Sequence, residues 1–370
     1  MMRHRSWPRV IASLGRKCLR SVTGPLPVNV EQIPARSVVY GAFKGMGDLL
    51  CAAPVIGSEL AVGAEVTLLL FPQLRAFADL VDFGPRRNHL RVVVLPTPLT
   101  GKRLRAFFLE MSRISPDLVW YSPHSPLTVS SWRIPLLLAT TRLRYWPKAK
   151  LAGAASERLS WLFDVRLPVD RQLPYMLREW TAYSMLRSAC ATTRPPRARF
   201  VEPIQAARKE AVAYDLLIHP GAGTKNRQWP HDKYAQLLDL LPTCRVAIAG
   251  LPSDIEDMRR ALSRHHGITF VSGSLEQVIL SIAKARLALT MDSGTMYFAR
   301  LLDVPTIALF GPSDPATVIE PEADLIRMYE RRWPCQPCAK TRCAQPQLYC
   351  MRSIEPRSVA AEISRRLATV

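Results

Sequence analysis

The sequence predicts an α/β protein made of two parallel-sheet domains that face each other across a cleft. Short apolar runs alternate with helical patterns from Ser37 to about Tyr121, and a second alternating array runs from Tyr214 to Phe310. A proline-containing segment, 194–197, lies between the arrays. Such alternation is typical of parallel strands joined by helices on both faces of a sheet. Two arrays in tandem predict two Rossmann-like domains, which suits a chain of 370 residues.

The first array contains four predicted strands. They cover 38–43, 66–71, 91–95 and 117–121, with helices predicted at 49–60, 74–81 and 102–114. The stretch 124–199 gives no clear pattern except a helical segment at 173–190. We therefore predict a basic amino-terminal appendage at 1–36 and a first domain at 37–200.

The second array defines a second domain at 201–370. Its predicted strands are 215–219, 245–249, 268–271, 287–291 and 306–310, and its predicted helices are 233–241, 255–264, 275–285 and 295–302. In open α/β sheets, ligands bind at the carboxyl ends of the strands. The cleft between the two domains is therefore the expected active site.

The charge of the chain is strongly positive. Fifty Lys and Arg residues against thirty Asp and Glu residues give a net charge of +20. This excess attracts anionic partners, which include nucleic acid, nucleotide phosphates and an anionic membrane surface, and charge alone does not choose among them.

The amino-terminal appendage has two interpretations. It fits either an amphipathic helix lying on a membrane or a poorly ordered basic leader. It has no uninterrupted apolar segment of the kind a secretory signal needs, and no apolar run in the chain is long enough to span a bilayer. We therefore expect a cytoplasmic protein.

The most informative motif lies in 287–315, where an apolar strand runs into Asp292, Ser293 and Gly294 before a helix. The start of a helix offers free backbone N–H groups and a positive dipole end, so a diphosphate can bind there without a metal. Gly294 allows the backbone to approach closely, and the hydroxyl of Ser293 can donate to a phosphate oxygen. The alternative is that Asp292 and Ser293 only cap the helix.

A second motif lies in 218–230, where another strand ends in a glycine-containing loop. This loop carries Thr224, Lys225 and Arg227. Two cations beside a hydroxyl suit an anionic leaving group. The alternative is a solvated basic loop before the next helix.

A third motif, Lys44-Gly45-Met46-Gly47-Asp48, ends the first strand of the other domain. A carboxylate at Asp48 would face the cleft and take the proton of an attacking hydroxyl. Alternatively, Asp48 is the N-cap of the helix predicted from Leu49.

Two further patterns bear on metals. The chain contains no Asp-x-Asp pair, which agrees with a leaving group stabilised by a helix dipole and cations rather than by a divalent metal. Near the carboxyl end, four cysteines provide enough thiols for a tetrahedral zinc site, but their spacing is not that of a zinc ribbon. Buried or redox-active thiols are the alternative, and we predict no metal or cofactor. These cysteines are Cys335, Cys338, Cys343 and Cys350.

The three motifs, in this order, resemble glycosyltransferase family 9, the lipopolysaccharide heptosyltransferases, from about residue 38 to the end. The resemblance implies a GT-B fold with an acceptor domain first and a nucleotide-sugar domain second. It also implies inverting transfer from an ADP-heptose-like donor to a lipid A–core acceptor.

The resemblance assigns roles residue by residue. It places the general base on Asp48 and the ribose-binding acid in 251–257, where we choose Asp254 over Glu256. It places the donor on Asp292, Ser293 and Gly294, and the diphosphate on Thr224 and Arg227. Lys225, which lies in the same loop, is a further cation that we expect at the donor site.

At three positions the sequence departs from the family pattern. The family commonly has Thr in place of Ser293, Lys in place of Arg227 and His in place of Tyr297. The exchange at Tyr297 alters a donor contact. Arg227 carries a planar guanidinium, which binds an anion with a different geometry from the ammonium of Lys. The pattern therefore does not fix the donor sugar.

Two rival functions make different demands on the sequence. A Rossmann dehydrogenase needs a third glycine after Gly45 and Gly47, which is absent. A non-enzymatic basic module that binds nucleic acid or an anionic membrane stays as the alternative. The expected partners are a nucleotide-sugar donor, a phosphorylated glycolipid acceptor and, peripherally, an anionic membrane surface, with no nucleic acid.

Overall fold

The computed structural model describes residues 32–43, 45–97, 101–122, 133–155, 159–187, 192, 194–320, 324–330, 333–338, 340 and 342–369. Within these residues it contains two six-stranded sheets and a two-stranded ribbon. The strands of both large sheets pair in parallel, which confirms the predicted α/β architecture. Of the predicted appendage, 1–31 lie outside the described residues.

The first sheet is built from the amino-terminal half of the chain. Its strands are β1 (Ser37–Phe43), β2 (Glu65–Leu70), β4 (Leu90–Val94), β5 (Leu118–Tyr121), β6 (Lys150–Ala154) and β7 (Val165–Leu167). Its helices are α1 (Met46–Ala61), α2 (Arg75–Leu80), α3 (Gly101–Met111), α4 (Arg133–Tyr145) and α5 (Tyr175–Ser184). The strand order is β4-β2-β1-β5-β6-β7. The antiparallel ribbon pairs β3 (Val81–Asp82) with β8 (Arg199–Phe200).

The second sheet repeats this plan. Its strands are β9 (Tyr214–His219), β10 (Val246–Gly250), β11 (Thr269–Ser272), β12 (Ala285–Met291), β13 (Thr306–Phe310) and β14 (Leu325–Tyr329). The helices are α6 (Glu202–Ala207), α7 (His231–Asp239), α8 (Pro252–Ala261), α9 (Leu275–Ala283), α10 (Gly294–Leu301), α11 (Pro315–Val318), α12 (Tyr349–Arg352) and α13 (Pro356–Leu367). The strand order is β11-β10-β9-β12-β13-β14. The domain boundaries at 36/37 and 200/201 stay a prediction.

Several elements differ from the sequence prediction. Helix α1 begins at Met46 instead of Leu49, so Asp48 lies in its first turn and the prediction of Asp48 as the N-cap is wrong. The stretch 124–199, which gave no clear pattern, supplies α4, β6 and β7. The second array does not end at Phe310, because β14 follows on the outer edge of the sheet.

The two halves are joined by apolar packing. The ring of Phe77 on α2 lies 5.2 Å from that of Phe298 on α10, centroid to centroid, and the ring of Phe200 lies 5.8 Å from Phe298. These rings belong to one buried cluster that continues through both halves of the chain. A separate cluster fills the outer face of the first sheet, under α3 and α4.

The first half also buries two carboxyl groups in different ways. Glu59 pairs with Arg187 at 2.8 Å, and Arg187 also donates to the carbonyl oxygens of Ile33 and Ala35. The second is Glu179 on α5. It accepts hydrogen bonds from Tyr40, Trp120 and Ser122, and burial raises its pKa well above the ordinary value. No helix among the described residues is long and apolar enough to cross a membrane.

Candidate active site

The starts of α1 and α10 meet where the two halves of the molecule face each other. A Cβ atom on Gly294 would lie 3.3 Å from the Cβ atom of Met46, and one on Gly47 would lie 3.3 Å from the ring of Tyr297. Glycine at both positions therefore permits a close approach of the two helix starts. Because the amino-terminal end of a helix is positive, two such ends converge here.

The start of α10 is not capped by its own side chains. Ser293 is the N-cap residue, but its side chain makes no capping hydrogen bond. Its hydroxyl and Oδ2 of Asp292 are buried without a hydrogen-bond partner in the described part of the chain. For the side chain of Ser293, the alternative of a helix cap is therefore wrong. The N–H of Met296 donates to the carbonyl oxygen of Ser293. The N–H groups of Gly294 and Thr295 are therefore the candidates for binding an anion.

The structure brings two of the predicted binding motifs into contact. Nη1 of Arg227 lies 3.4 Å from Oδ2 of Asp292, whose side chain is only 6% exposed. Strands β9 and β12 are neighbours, so the loops that follow them meet at the carboxyl edge of the second sheet. This ion pair, which lacks hydrogen-bond geometry, places the guanidinium beside the start of α10.

The loop after β9 carries the other predicted phosphate ligands. Lys225 is exposed, and Lys225–Arg227 form a single 3₁₀ turn. The hydroxyl of Thr224 donates to Oδ1 of Asn226 at 2.6 Å. Asn226 is 4% exposed and was not singled out by the sequence, because a buried asparagine in a polar loop carries no pattern of its own.

Asp254 lies at the same edge of the second sheet, beside a histidine that the sequence prediction missed. A Cβ on Gly221 would lie 2.6 Å from Oδ2 of Asp254 and 3.1 Å from Nε2 of His219. Nδ1 of His219 lies 2.8 Å from the carbonyl oxygen of Ala249, which can only accept, so Nδ1 carries the hydrogen. Burial lowers the pKa of His219 and keeps the ring neutral, which leaves Nε2 as an acceptor. The ribose contact of Asp254 stays a prediction.

Tyr297 lies between the two halves instead of lining an open surface. It is 4% exposed, and its hydroxyl donates to the carbonyl oxygen of Val318 at 2.8 Å. It also forms a hydrogen bond with the thiol of Cys51 on α1, a group whose pKa burial raises to about 12. The predicted donor contact of Tyr297 is untested, and its hydroxyl hydrogen is already used by Val318.

Asp48 lies in the first turn of α1, partly exposed. Its Oδ2 accepts a hydrogen bond from the backbone N–H of Gly45 at 2.9 Å, which fixes the orientation of the carboxylate. Lys44, which precedes this turn, lies outside the described residues. The role of Asp48 as a base stays a prediction.

The structure adds Tyr175, at the start of α5, to the site. Burial raises the pKa of Tyr175, and the nearby charges of Asp292, Arg227 and Asp48 also act on its hydroxyl. The guanidinium carbon of Arg178 lies 5.0 Å from the centre of the Tyr175 ring. Charges from both halves therefore converge on one phenol. The sequence gave no signal for it, because a tyrosine at the start of an ordinary helix is not distinctive.

The cysteine-bearing tail, 335–350, surrounds a cavity of about 440 Å³ lined in part by Cys335, Cys343 and Cys350. Burial raises the pKa of Cys350 to about 11, and the other three tail thiols add to this shift. Among the described residues, no three His, Cys, Asp or Glu side chains are arranged to hold a metal ion. The geometry therefore does not support the zinc interpretation.

Comparison with known proteins matches the chain to the model of glycosyltransferase family 9 (heptosyltransferase) over residues 140–348. A lipooligosaccharide heptosyltransferase 2 of Haemophilus influenzae is 32% identical over 115 residues, which cover 28% of this chain and 33% of that protein. The matched segment thus spans about a third of the length of this curated relative.

Solved structures show the fold over nearly the whole chain. The Escherichia coli ADP-heptose lipopolysaccharide heptosyltransferase II superimposes with a TM-score of 0.66 at 17% identity, covering 90% of this chain and 99% of that chain. A family 9 glycosyltransferase from Veillonella parvula gives 0.70 at 16% identity, covering 92% and 100%. These likenesses show the two-domain GT-B fold predicted from the sequence. Because the family model matches more than half of the residues of this chain, the chain belongs to glycosyltransferase family 9.

Proposed function

We propose that the protein is an inverting glycosyltransferase. It transfers a heptose-like sugar from a nucleotide diphosphate donor, such as ADP-heptose, to a lipopolysaccharide core or related glycolipid. The observation that carries this proposal is the uncapped start of α10, which faces the start of α1 and has Arg227 beside it. Membership of the family supports the same reaction, and nothing specific favours the non-enzymatic basic module.

The reaction needs an electrophile held near a base. The N–H groups at the start of α10 and the hydroxyl of Ser293 bind the diphosphate, and Arg227 adds positive charge as the leaving group departs. Asp48 takes the proton of the acceptor hydroxyl while the oxygen of that hydroxyl attacks the anomeric carbon. The bond from that carbon to the phosphate oxygen breaks on the opposite face, so the nucleotide diphosphate leaves and the configuration inverts.

The surroundings of the base suit this role. The hydrogen bond from Gly45 holds the Asp48 carboxylate in one orientation. Burial, together with the charges of Asp292 and Asp48, raises the pKa of Tyr175 above its ordinary value. Its phenol is therefore protonated at neutral pH, so it can donate a hydrogen bond and adds no negative charge.

The positive charge of the protein supports the proposed acceptor and location, although charge alone does not select them. A net charge of +20 suits a phosphorylated glycolipid and the anionic inner leaflet of the cytoplasmic membrane, to which a cytoplasmic enzyme would bind peripherally. Sedimentation with vesicles that contain anionic lipid tests this contact. Binding that is equal on neutral vesicles, or that is unchanged at high salt, would contradict it.

The reaction is tested by incubating the purified protein with ADP-heptose or UDP-sugars and a lipid A–core acceptor. Acceptor-dependent release of the nucleotide diphosphate is expected, with inverted configuration at the new bond. Thermal stabilisation by ADP or UDP should persist at moderate salt, whereas stabilisation by an oligonucleotide should be lost. Stabilisation by the oligonucleotide alone, with no turnover of any donor, would favour the basic module.

A further inference from the structure

A buried asparagine connects the proposed donor loop with the cysteine-bearing tail. Asn226 lies in the middle of the loop, between Thr224 and Arg227, and is 4% exposed. Its Oδ1 accepts the hydroxyl hydrogen of Thr224 at 2.6 Å, and its Nδ2 donates to the carbonyl oxygen of Lys340 at 2.8 Å. Both ends of this one amide are therefore engaged, which fixes the side chain in a single orientation.

The tail end of this connection is itself anchored. Lys340 follows Cys338, whose backbone N–H donates to the carbonyl oxygen of Pro312 at 2.7 Å. The side chain of Gln336 donates to the carbonyl oxygen of Gly311, also at 2.7 Å. Both acceptors directly follow β13, so the tail is attached to the edge of the sheet that carries the donor loop. The part of the tail that precedes Lys340 is thus anchored at the end of β13.

We infer that Asn226 is a positioning residue for the donor, through which the cysteine-bearing tail holds the diphosphate-binding loop. Asn226 acts through Thr224, since the hydrogen bond between them holds the 3₁₀ turn that presents Arg227. This bond uses the hydroxyl hydrogen of Thr224, which is then not available to a phosphate oxygen. A loop held in its binding conformation loses less freedom when the ligand arrives, so affinity rises without a new ligand contact. This inference rests on the proposed function, because it assumes that the loop binds a nucleotide diphosphate.

The test is a double-mutant cycle on ADP binding. The affinity of the full-length protein for ADP is measured by calorimetry for the wild type, Asn226→Ala, Thr224→Val and the double variant. Loss of two neutral hydrogen bonds predicts about five- to tenfold weaker binding for Asn226→Ala. Because Asn226 acts through Thr224, adding Asn226→Ala to Thr224→Val should weaken binding by much less than it does in the wild type.

A matched control separates positioning from general stability. Gln205 also donates from a side-chain amide to a backbone carbonyl, that of Leu301, at the far end of α10. Gln205→Ala should leave the affinity for ADP unchanged. Should Asn226→Ala fail to fold, Asn226→Ser replaces it, since a serine hydroxyl is too short to reach both partners. In turnover, the KM for the donor should rise and kcat should fall, because the loop presents Arg227, while the KM for the acceptor stays the same.

The outcomes distinguish this inference from the proposed function. Unchanged ADP affinity in the Asn226 variants, or effects that add fully in the cycle, would overturn the inference and leave the proposed function standing. A wild-type protein that binds neither ADP nor UDP would overturn both.

Discussion

Helices α1 and α10 start at equivalent places in the two halves and face each other, yet different side chains lie at their first turns. The first turn of α1 contains the carboxylate of Asp48, which accepts from the backbone at Gly45. The first turn of α10 has no acidic residue and no side-chain cap. One positive helix end thus holds a carboxylate of its own, while the first turn of the other has none. This difference supports the proposal that the base lies in the first half and the leaving group in the second.

The largest expected effect comes from removing the charge at the start of α1. Asp48→Asn keeps an oxygen for the hydrogen bond from Gly45 but cannot take a proton, so turnover should fall about 10²- to 10⁴-fold. Binding of ADP, measured by calorimetry, should stay nearly unchanged, because the proposal places the donor at the other helix. Full activity in this variant would exclude Asp48 as the base.

The next effect is expected at the open helix start. Arg227→Ala removes a cation from the leaving group, and loss of a charged hydrogen bond predicts about 10- to 100-fold weaker transition-state stabilisation. Both donor affinity and kcat should fall, and Arg227→Lys should restore part of each. Unchanged kinetics in Arg227→Ala would contradict the proposed contact with the diphosphate.

A smaller effect is expected from replacing two serines at helix starts, of which one caps its helix and the other does not. The side chain of Ser274 caps α9 by accepting from the backbone N–H of Gln277, so Ser274→Ala should cost about 1 kcal/mol of unfolding free energy. Ser293 makes no such bond, so Ser293→Ala should cost little stability but weaken ADP binding about fivefold. Chemical denaturation and calorimetry measure the two quantities. A stability loss in Ser293→Ala equal to that in Ser274→Ala would show that Ser293 caps after all.

Two further effects concern pH, and they act in opposite directions in the two halves. His219 in the second half has a lowered pKa, so below about pH 6.5 the unfolded chain gains a proton that the folded one does not, and stability falls on acidification. Glu179 in the first half has a raised pKa, so above about pH 4.3 its ionisation favours the unfolded chain, and stability falls as pH rises.

Denaturation curves across this pH range check the two contributions. Glu179→Gln should reduce the loss of stability towards high pH, and His219→Gln should reduce the loss towards low pH. The same pH dependence in wild type and variant would contradict the corresponding assignment.

The parts of the fold that the sequence predicts are those with continuous apolar strands. In β13, all five residues are buried, so the run stands out, and its predicted bounds are the observed ones. In β14, four of its five residues are partly exposed because it is an edge strand, so the pattern of a core strand is absent. Its place in the sheet depends on contacts with β13 that no local pattern reveals.

The site divides in the same way. Arg227 and Asp292 were both predicted because each follows a buried strand, and their contact follows from the adjacency of β9 and β12. Tyr175, His219 and Asn226 were missed, since their roles arise from neighbours distant in sequence. Local motifs identify the ends of strands, whereas the side chains that surround them become apparent only after folding.

The contact of Phe77 and Phe200 with Phe298 makes the width of the cleft depend on apolar burial. A hinge motion that separates the two halves exposes these rings to water at a cost of about 25 cal/mol for each Å². We therefore expect the unliganded protein to rest with its cleft narrow. In the proposed reaction, donor entry and product release would then require these rings to separate, and the rate of that opening would limit turnover.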